Sequence, residues 1–551
     1  MAAPNIPLAK RSGLLVDLDR LASDGDDWLT PEDRYALKTH GICTQVQPGM
    51  FMIRVRIPGG QLTPDQARAL ADIGAQYGGD WIHVTTRQNI EFHNVAAQQA
   101  PAVLAATEAA GLTNRSACGH TMRNVMSCTD AGVGLDEPFD CLPDARMVSD
   151  AILARSAELN CTLPSRLNFT FGGCPRCAEH ARVNDLGFES RVVGGRCGYR
   201  LWAGGSLGTM PVLAMPLREF VPRESVLPAA EALVDVFVAH GDFDNPKRAR
   251  MKFLVAQLGE DGFRHAFDDA FIAAEARPHP AAAELDHVAD ANIDQILRSV
   301  PDGGWGSGVR PQRVAGLAMV TVNVPLGDLN GDDLRVLADV AETTRDGHLN
   351  LTRNQNVQYR DVPIARVGQV RKMLATRHLS FIGADAATDV RVCTGSSVCS
   401  LGITDSPSVG IRLTKNPALE RNASLRVHIS GCPNSCAQHQ MGDIGFSGAK
   451  VRIGGRTQLG YHMYLGADVG AGKLAQVVGR VGEDNVDNAL EAVIGGWEAL
   501  RAWGETFADT LERIGIEAFA AHLSSITDGF EPGDDELGDA EHFADAVAVG
   551  T

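Results

Sequence analysis

Cysteines carry the first chemical signal in this chain. Cys432 and Cys436 flank a Pro-Asn-Ser turn in "HISGCPNSCAQHQMGDIGF", and Cys393 and Cys399 lie upstream in "CTGSSVC". The pattern is C-x5-C, 32 intervening residues, then C-x3-C. Four such thiols could take a structural zinc ion, ligate an iron–sulfur cluster, or remain free. Zinc knuckles in small folds use tighter pairs. The uneven spacing, with Gly and Pro beside the thiols, suits a cluster better, because glycine lets the backbone approach the inorganic core. On spacing alone all three readings stay open.

Arginines give the second signal, through an internal repeat. Shifted by 267 positions, "IRVRIPGGQLTPDQARALADIG" from Ile53 falls on "VTVNVPLGDLNGDDLRVLADVA" from Val320, and "VTTRQNIEFHNV" from Val84 falls on "LTRNQNVQYRDV" from Leu351. A constant offset over 43 residues (53–95) marks a duplication. The copies differ in charge: Arg54, Arg56 and Arg87 face Thr321, Asn323 and Asn354. Two residues apart on a strand, Arg54 and Arg56 share one face. One copy thus has a positive face fitted to an anionic ligand, where guanidinium forks match carboxylates. A plain solvated basic edge is the competing reading.

Elements must position these groups. Each copy reads as strand, turn, helix, strand; Thr63-Pro64-Asp65 is a helix start with proline at the first helical position. The duplication extends to "GGCPRCAEHARVNDLGF" from Gly172, which resembles the turn around Cys432 and aligns Cys174 with Cys432 and Asp185 with Asp443. By that symmetry Cys118, Cys128, Cys174 and Cys177 could form a second cluster, but their spacings differ, and small buried thiols also pack as hydrophobes. Cys43 receives no assignment. The expected class is α+β, pseudo-twofold, with residues 276–315 as a linker.

Composition narrows the function. A net charge of -18 opposes nucleic-acid binding, which needs a basic stripe. The N-terminus lacks an apolar signal region and no run is long enough to span a bilayer, so a cytoplasmic enzyme is expected. "GADVGAGKL" lacks the glycine and hydroxyl residue of a phosphate loop, and no dinucleotide fingerprint is present, so electrons must come from another protein.

The cysteine motifs, with "FMIRVRIPGG", "TTRQNIEFH", "MRNV", "LWAGGSLGT", "RARMKFL" and "LTRNQNVQY", closely resemble the siroheme-containing sulfite and nitrite reductases, in that family's order. The resemblance spans all but about the first 35 and last 50 residues. It implies the duplicated nitrite/sulfite reductase fold. Ferredoxin-like half-domains would cover 36–105 and 316–382, a siroheme and substrate domain 106–275, a cluster domain 383–510 and a tail 511–551. It implies a [4Fe-4S] cluster on Cys393, Cys399, Cys432 and Cys436, with Cys436 bridging to the siroheme iron. Siroheme is rich in carboxylates and its substrate is an anion, so the implied holders are Arg54, Arg56, Arg87, Gln88, Arg248, Arg250, Lys252 and Asn434. The implied catalytic set is Arg87, Arg123, Arg166 and Asn168.

The family uses six electrons to reduce sulfite to sulfide or nitrite to ammonia, supplied by ferredoxin or a flavoprotein. Where sulfite reductases show two basic residues in "LPSRLNFTF", this chain has Arg166 and Asn168. One cation fewer suits a singly charged anion, which tilts the expectation to nitrite. A sulfite reductase, a precorrin-3B synthase-like enzyme on the same scaffold, and a cluster-bearing electron carrier are the alternatives. Retention of the arginines argues against the last two.

Overall fold

The two copies of the repeat exchange strands. In the computed structural model, residues 3–282, 295–296, 308–526 and 529–533 are described. The first copy supplies β1 (Ile42–Thr44), β2 (Met50–Val55), β3 (Gln61–Leu62), β4 (Ile82–Val84) and β5 (Ile90–Ala96). Then come β6 (Phe169–Gly172), β7 (Leu186–Val193), β8 (Arg196–Ala203) and β9 (Met215–Pro222). The second copy supplies β10 (Val309–Pro311), β11 (Leu317–Val322), β12 (Asp328–Leu329), β13 (Leu349–Leu351) and β14 (Val357–Pro363). The chain closes with β15 (Arg391–Val392), β16 (Val427–Ser430), β17 (Ile444–Ile453), β18 (Arg456–Leu465), β19 (Gln476–Gly482) and β20 (Phe530–Pro532).

The first sheet runs β1-β2-β5-β4-β12 and the second β10-β11-β14-β13-β3, so each ends on a strand from the other copy. Gly60 and Gly327, identical in the alignment, stand at this crossing with φ of 77° and 80°. A Cβ on Gly60 would meet the Leu351 carbonyl at 2.8 Å, and one on Gly327 the Val84 carbonyl at 2.6 Å. Only glycine combines that backbone with so close an approach. The exchange explains why both copies share one apolar core, running from Ile53 and Val55 to Val320 and Leu351.

The predicted helix after β3 is Pro64–Tyr77, capped by Thr63 with Gln66 in a reciprocal capping box. It buries Ala67, Leu70, Ala71, Ile73 and Gly74. Its counterpart, Gly331–Ala341, is capped by Asn330 and Asp333 and buries Leu334, Leu337 and Ala338. Each buried leucine contributes roughly 2 kcal/mol.

Two larger α+β bodies complete the fold. One carries the sheet β6-β7-β8-β9, the other β15-β16-β17-β18-β19-β20. In both, a parallel pair (β6 with β7, β16 with β17) leads into an antiparallel meander. Each body has its own apolar core. The α+β, pseudo-twofold class is the one expected. Most of the stretch read as a linker lies outside the described residues, and β10 falls within its C-terminal end.

A candidate active site between the two halves

The cysteine turns sit at the ends of parallel strands. β15 runs directly into Cys393, whose amide bonds the Ile429 carbonyl on β16. The Cys393 Sγ accepts the Gly431 amide at 3.1 Å, the backbone-to-sulfur approach that the glycine implied. Cys399 closes a turn by donating its amide to Gly395, which has a φ of 58°. β16 ends at Ser430, and the turn carrying Cys432 and Cys436 needs left-handed Ser435 and Gln438.

The four thiols stand close enough to feel one another. Burial, then Cys436, Cys393 and Cys399, push the Cys432 thiol well up. Burial, then Cys393 and Cys399, push Cys436 up to about 12, against the pull of Arg54 and Arg166. Among the described residues no three of these four sulfurs lie within 4.8 Å of one another, so they do not form a single-ion site. Cys436 keeps solvent-accessible surface.

The N-terminal half is clamped onto these turns. Thr86 Oγ1 donates to the Cys436 carbonyl at 2.8 Å. Val46 donates to the Val398 carbonyl, Gln47 Nε2 to the Ser397 carbonyl at 2.7 Å, and Gln45 bridges Cys399. Gln440 Nε2 reaches the Gly208 carbonyl at 3.0 Å, tying the cysteine turn to "LWAGGSLGT". Asn434 lies under the same loop, its carbonyl 3.6 Å from where a Gly208 Cβ would stand.

Beside Cys436 gathers an excess of positive charge. Burial, then Arg123, with Arg166 and Arg54 further down, pulls Arg87 down to about 9. Burial, then Arg250 and Arg123, pulls Arg166 down to about 9. Arg123 is lowered too, chiefly by burial. Lys252 falls to about 8 through burial, then Arg250 and Arg166.

Against these cations and Arg54 and Arg250 stand two carboxylates, Glu91 and Asp185. Glu91 on β5 sits opposite Arg54 on β2 and bonds its Nε at 2.7 Å. Asp185 is fully buried, accepts the Asn168 amide at 2.9 Å and pairs with Arg250 at 3.1 Å. Arg87 is held by Asn184 Oδ1 at 3.2 Å and the Asn124 carbonyl at 2.9 Å, with its Nε buried and unsatisfied. Arg123 donates to the Gly119 and Ala117 carbonyls. Arg166 makes no hydrogen bond or ion pair, and the Asn168 side chain makes no hydrogen bond, among the described residues. A buried cationic excess of this kind is costly unless an anion completes it.

Three predicted holders have partners of their own or lie at the surface. Arg56 is only 1% exposed; its guanidinium donates to the Met122 carbonyl at 2.6 Å and to Ser149 Oγ at 3.3 Å. It shares a face with Arg54, but the chain from Thr113 to Met122 covers it. Gln88 is 0% exposed and bonds the Ser127 and Leu351 carbonyls, so its amide locks the strand exchange. Gln355 plays the same part on the other side, bonding the Val84 carbonyl. Arg248 is exposed and lies over the Phe253 ring. Lys252 is buried and spends its ammonium on the Thr209 and Met210 carbonyls, which orders the loop over the cysteine turn.

Sequence reasoning left other site groups unassigned. Arg54 also donates to Cys118 Sγ at 2.8 Å. Burial works against the Cys118 thiolate, but a hydrogen bond from Cys43 and the charges of Arg54 and Arg123 bring the thiol down to about 6. Lys10, from the N-terminal helix Ile6–Arg11, is buried and donates to the His120 and Leu163 carbonyls behind the site. Burial and the cations Lys10, Arg166 and Arg123 push the His120 imidazole well below its usual range. His83 pairs with Asp328 at 2.7 Å and is structural. The "GADVGAGKL" loop accepts Arg182 on its Val469 and Gly470 carbonyls and joins the two halves.

Four neighbouring thiols beside clustered arginines with few counter-charges suit a redox centre next to a site for anionic groups. Comparison with known proteins agrees. Residues 118–272 and 383–527 match the nitrite and sulphite reductase 4Fe-4S domain, and 44–110 and 310–377 match the nitrite/sulfite reductase ferredoxin-like half domain. The ferredoxin–nitrite reductase of Synechococcus elongatus is 32% identical over 473 residues, covering 84% of this chain and 89% of that protein. The assimilatory ferredoxin-dependent nitrite reductase of Haloferax mediterranei is 27% identical, covering 94% and 92%. The solved structure of the Mycobacterium tuberculosis NirA protein superposes with a TM-score of 0.79 at 24% identity, covering 94% of this chain and 98% of that one, and shows the same fold. The chain belongs to the nitrite and sulphite reductase family. It is an oxidoreductase whose cofactors are a [4Fe-4S] cluster and siroheme. Among the described residues no helix is long and apolar enough to cross a membrane.

Proposed function

We propose that this protein reduces nitrite to ammonia with six electrons drawn from a ferredoxin-type donor. Cys393, Cys399, Cys432 and Cys436 would hold the cluster, and Arg54, Arg87, Arg123 and Arg250 would face the acidic rim of the siroheme. Once bound, these groups supply single electrons and a metal at which the anion is reduced. The chain supplies the rest. Arg87, Arg123 and Arg166 bind the anion and offset charge as its oxygens leave. Lys252 Nζ holds a proton that is labile near neutral pH, at about 8. Asp185 fixes the Asn168 backbone and pairs with Arg250.

The observation that carries the nitrite reading is the pairing of partnerless Arg166 with neutral Asn168. A single uncompensated cation at this position fits a monoanion better than a dianion. The named relatives, which are ferredoxin–nitrite reductases, support the same reading. Steady-state rates with nitrite and with sulfite, under one reduced ferredoxin, test it: kcat/KM should favour nitrite by at least about tenfold, and a preference for sulfite would overturn it.

A further inference from the structure

The duplication has left a second thiol cluster. Cys128, Cys174 and Cys177 converge from a loop and a turn in the N-terminal half, their sulfurs all within 4.8 Å of one another. Cys118, expected with them by symmetry, stands apart beside Cys43 and Arg54. The position is the pseudo-twofold image of the cluster turn. Thr86, which grips the Cys436 carbonyl, corresponds at the repeat offset to Arg353, and Arg353 NH1 grips the Cys177 carbonyl at 2.9 Å. Cys174 corresponds to Cys432 in the aligned sequence. The image is one residue shorter, C-x2-C in place of C-x3-C, and its fourth cysteine, Cys118, stands outside the group.

The contraction changes which ligand fits. A tetrahedral zinc ion with Zn–S of about 2.3 Å sets its sulfurs about 3.8 Å apart. Cys128 and Cys174 stand 3.5 Å apart, and the third sulfur completes the set within 4.8 Å. That spacing suits one ion and is too tight for a cluster whose irons occupy separate corners. Glu137 borders the site, although its carboxylate is not among the ligand atoms that all lie within 4.8 Å of one another. Glu137 is 1% exposed, and its Oε1 is buried without a hydrogen-bond partner. That oxygen packs against the residue before Cys174, 2.1 Å from where a Gly173 Cβ would stand. Arg353 lies against the turn with its Nε unsatisfied, and Arg176 and Arg310 converge on neighbouring Asp130, so the surroundings can balance an anionic metal–thiolate centre.

We infer that Cys128, Cys174 and Cys177 form a structural site for a single zinc ion, separate from the catalytic cluster, with the fourth position taken by water or by Glu137 after a side-chain movement. The ion would join the loop at Cys128 to the turn at Cys174 and replace the clasp that the cluster provides in the other half. Being redox-inert, it would leave electron transfer to the other centre.

The test uses the holoenzyme, exposed to Zn2+ alone and then dialysed against a chelator. Zinc, counted against siroheme by mass spectrometry, should remain at one per chain. In Cys174→Ser and Cys177→Ser it should fall at least about tenfold, while the siroheme absorption and the cluster's paramagnetic signal stay unchanged. X-ray absorption at the zinc edge of the unmodified protein, which needs no variant to fold, should show three sulfur neighbours at about 2.3 Å and one oxygen. Loss of zinc on dialysis, zinc content indifferent to both substitutions, or a Cys128–Cys174 disulfide in the isolated protein would overturn the inference.

Discussion

Replacing Arg166 with glutamine should strengthen the cofactor-free chain and weaken the enzyme. Arg166 has no partner among the described residues, and its neighbours Arg250 and Arg123 repel it. The fall from the ordinary guanidinium value to about 9 corresponds, at about 1.4 kcal/mol per tenfold, to an upper bound of ~5 kcal/mol. The side chain keeps some solvent contact, and screening trims this to about 1–3 kcal/mol. For a base whose folded-state pKa lies below its unfolded value, the cost is fully present below about 9 and is relieved as pH rises above it. At neutral pH, urea unfolding of cofactor-free Arg166→Gln, followed by tryptophan fluorescence, should therefore show a gain of about 1–3 kcal/mol. In the loaded enzyme the lost donor should lower nitrite kcat/KM by about 10²–10³. A variant that is less stable and fully active would refute this reasoning and make Arg166 a structural residue.

Other perturbations probe the surrounding groups. Asp185→Asn leaves Arg250 with no counter-charge in a buried setting and should cost about 3–5 kcal/mol of stability, read as a lower urea midpoint; an unchanged midpoint would mean that the pair contributes nothing. Lys252 is charged below about 8 and neutral above it, so KM for nitrite should rise as pH passes through that value, and Lys252→Arg should flatten the profile. Its depressed value also means that stability should increase between about 8 and the ordinary lysine range, where the unfolded chain binds more protons.

Local spacing made the cysteine turns legible, because ligands close in sequence must converge whatever the rest of the fold does. The strand exchange was not legible: β3 and β12 are two residues each and pair across the duplication. Arg54 could be seen as a cation, but its partner could not, although a signal existed. Arg54 pairs in register with Glu91, and the same positions of the second copy are Thr321 and Gln358, also in register. Both charges differ together between the copies, as expected of residues in contact. Arg56 shows the opposite limit. Period-two alternation gives its face but not the segment from Thr113 to Met122 that covers that face. Lys10 lies outside the repeat, and only tertiary docking brings it behind His120. Asp185 aligned with Asp443 in the sequence, and in the fold both carboxylates cap an equivalent strand start, through the Asn168 and Arg426 amides.

The central claim is that the thiols at Cys393, Cys399, Cys432 and Cys436 hold one cluster in contact with the siroheme. Electron paramagnetic resonance on anaerobically purified enzyme and on Cys436→Ser, with iron, sulfide and siroheme quantified in both, tests it most directly. The account predicts one cluster and one siroheme per chain with magnetically coupled signals in the unmodified enzyme, and loss of the coupling and of nitrite turnover in the variant. Coupled signals and full turnover surviving in Cys436→Ser would contradict it.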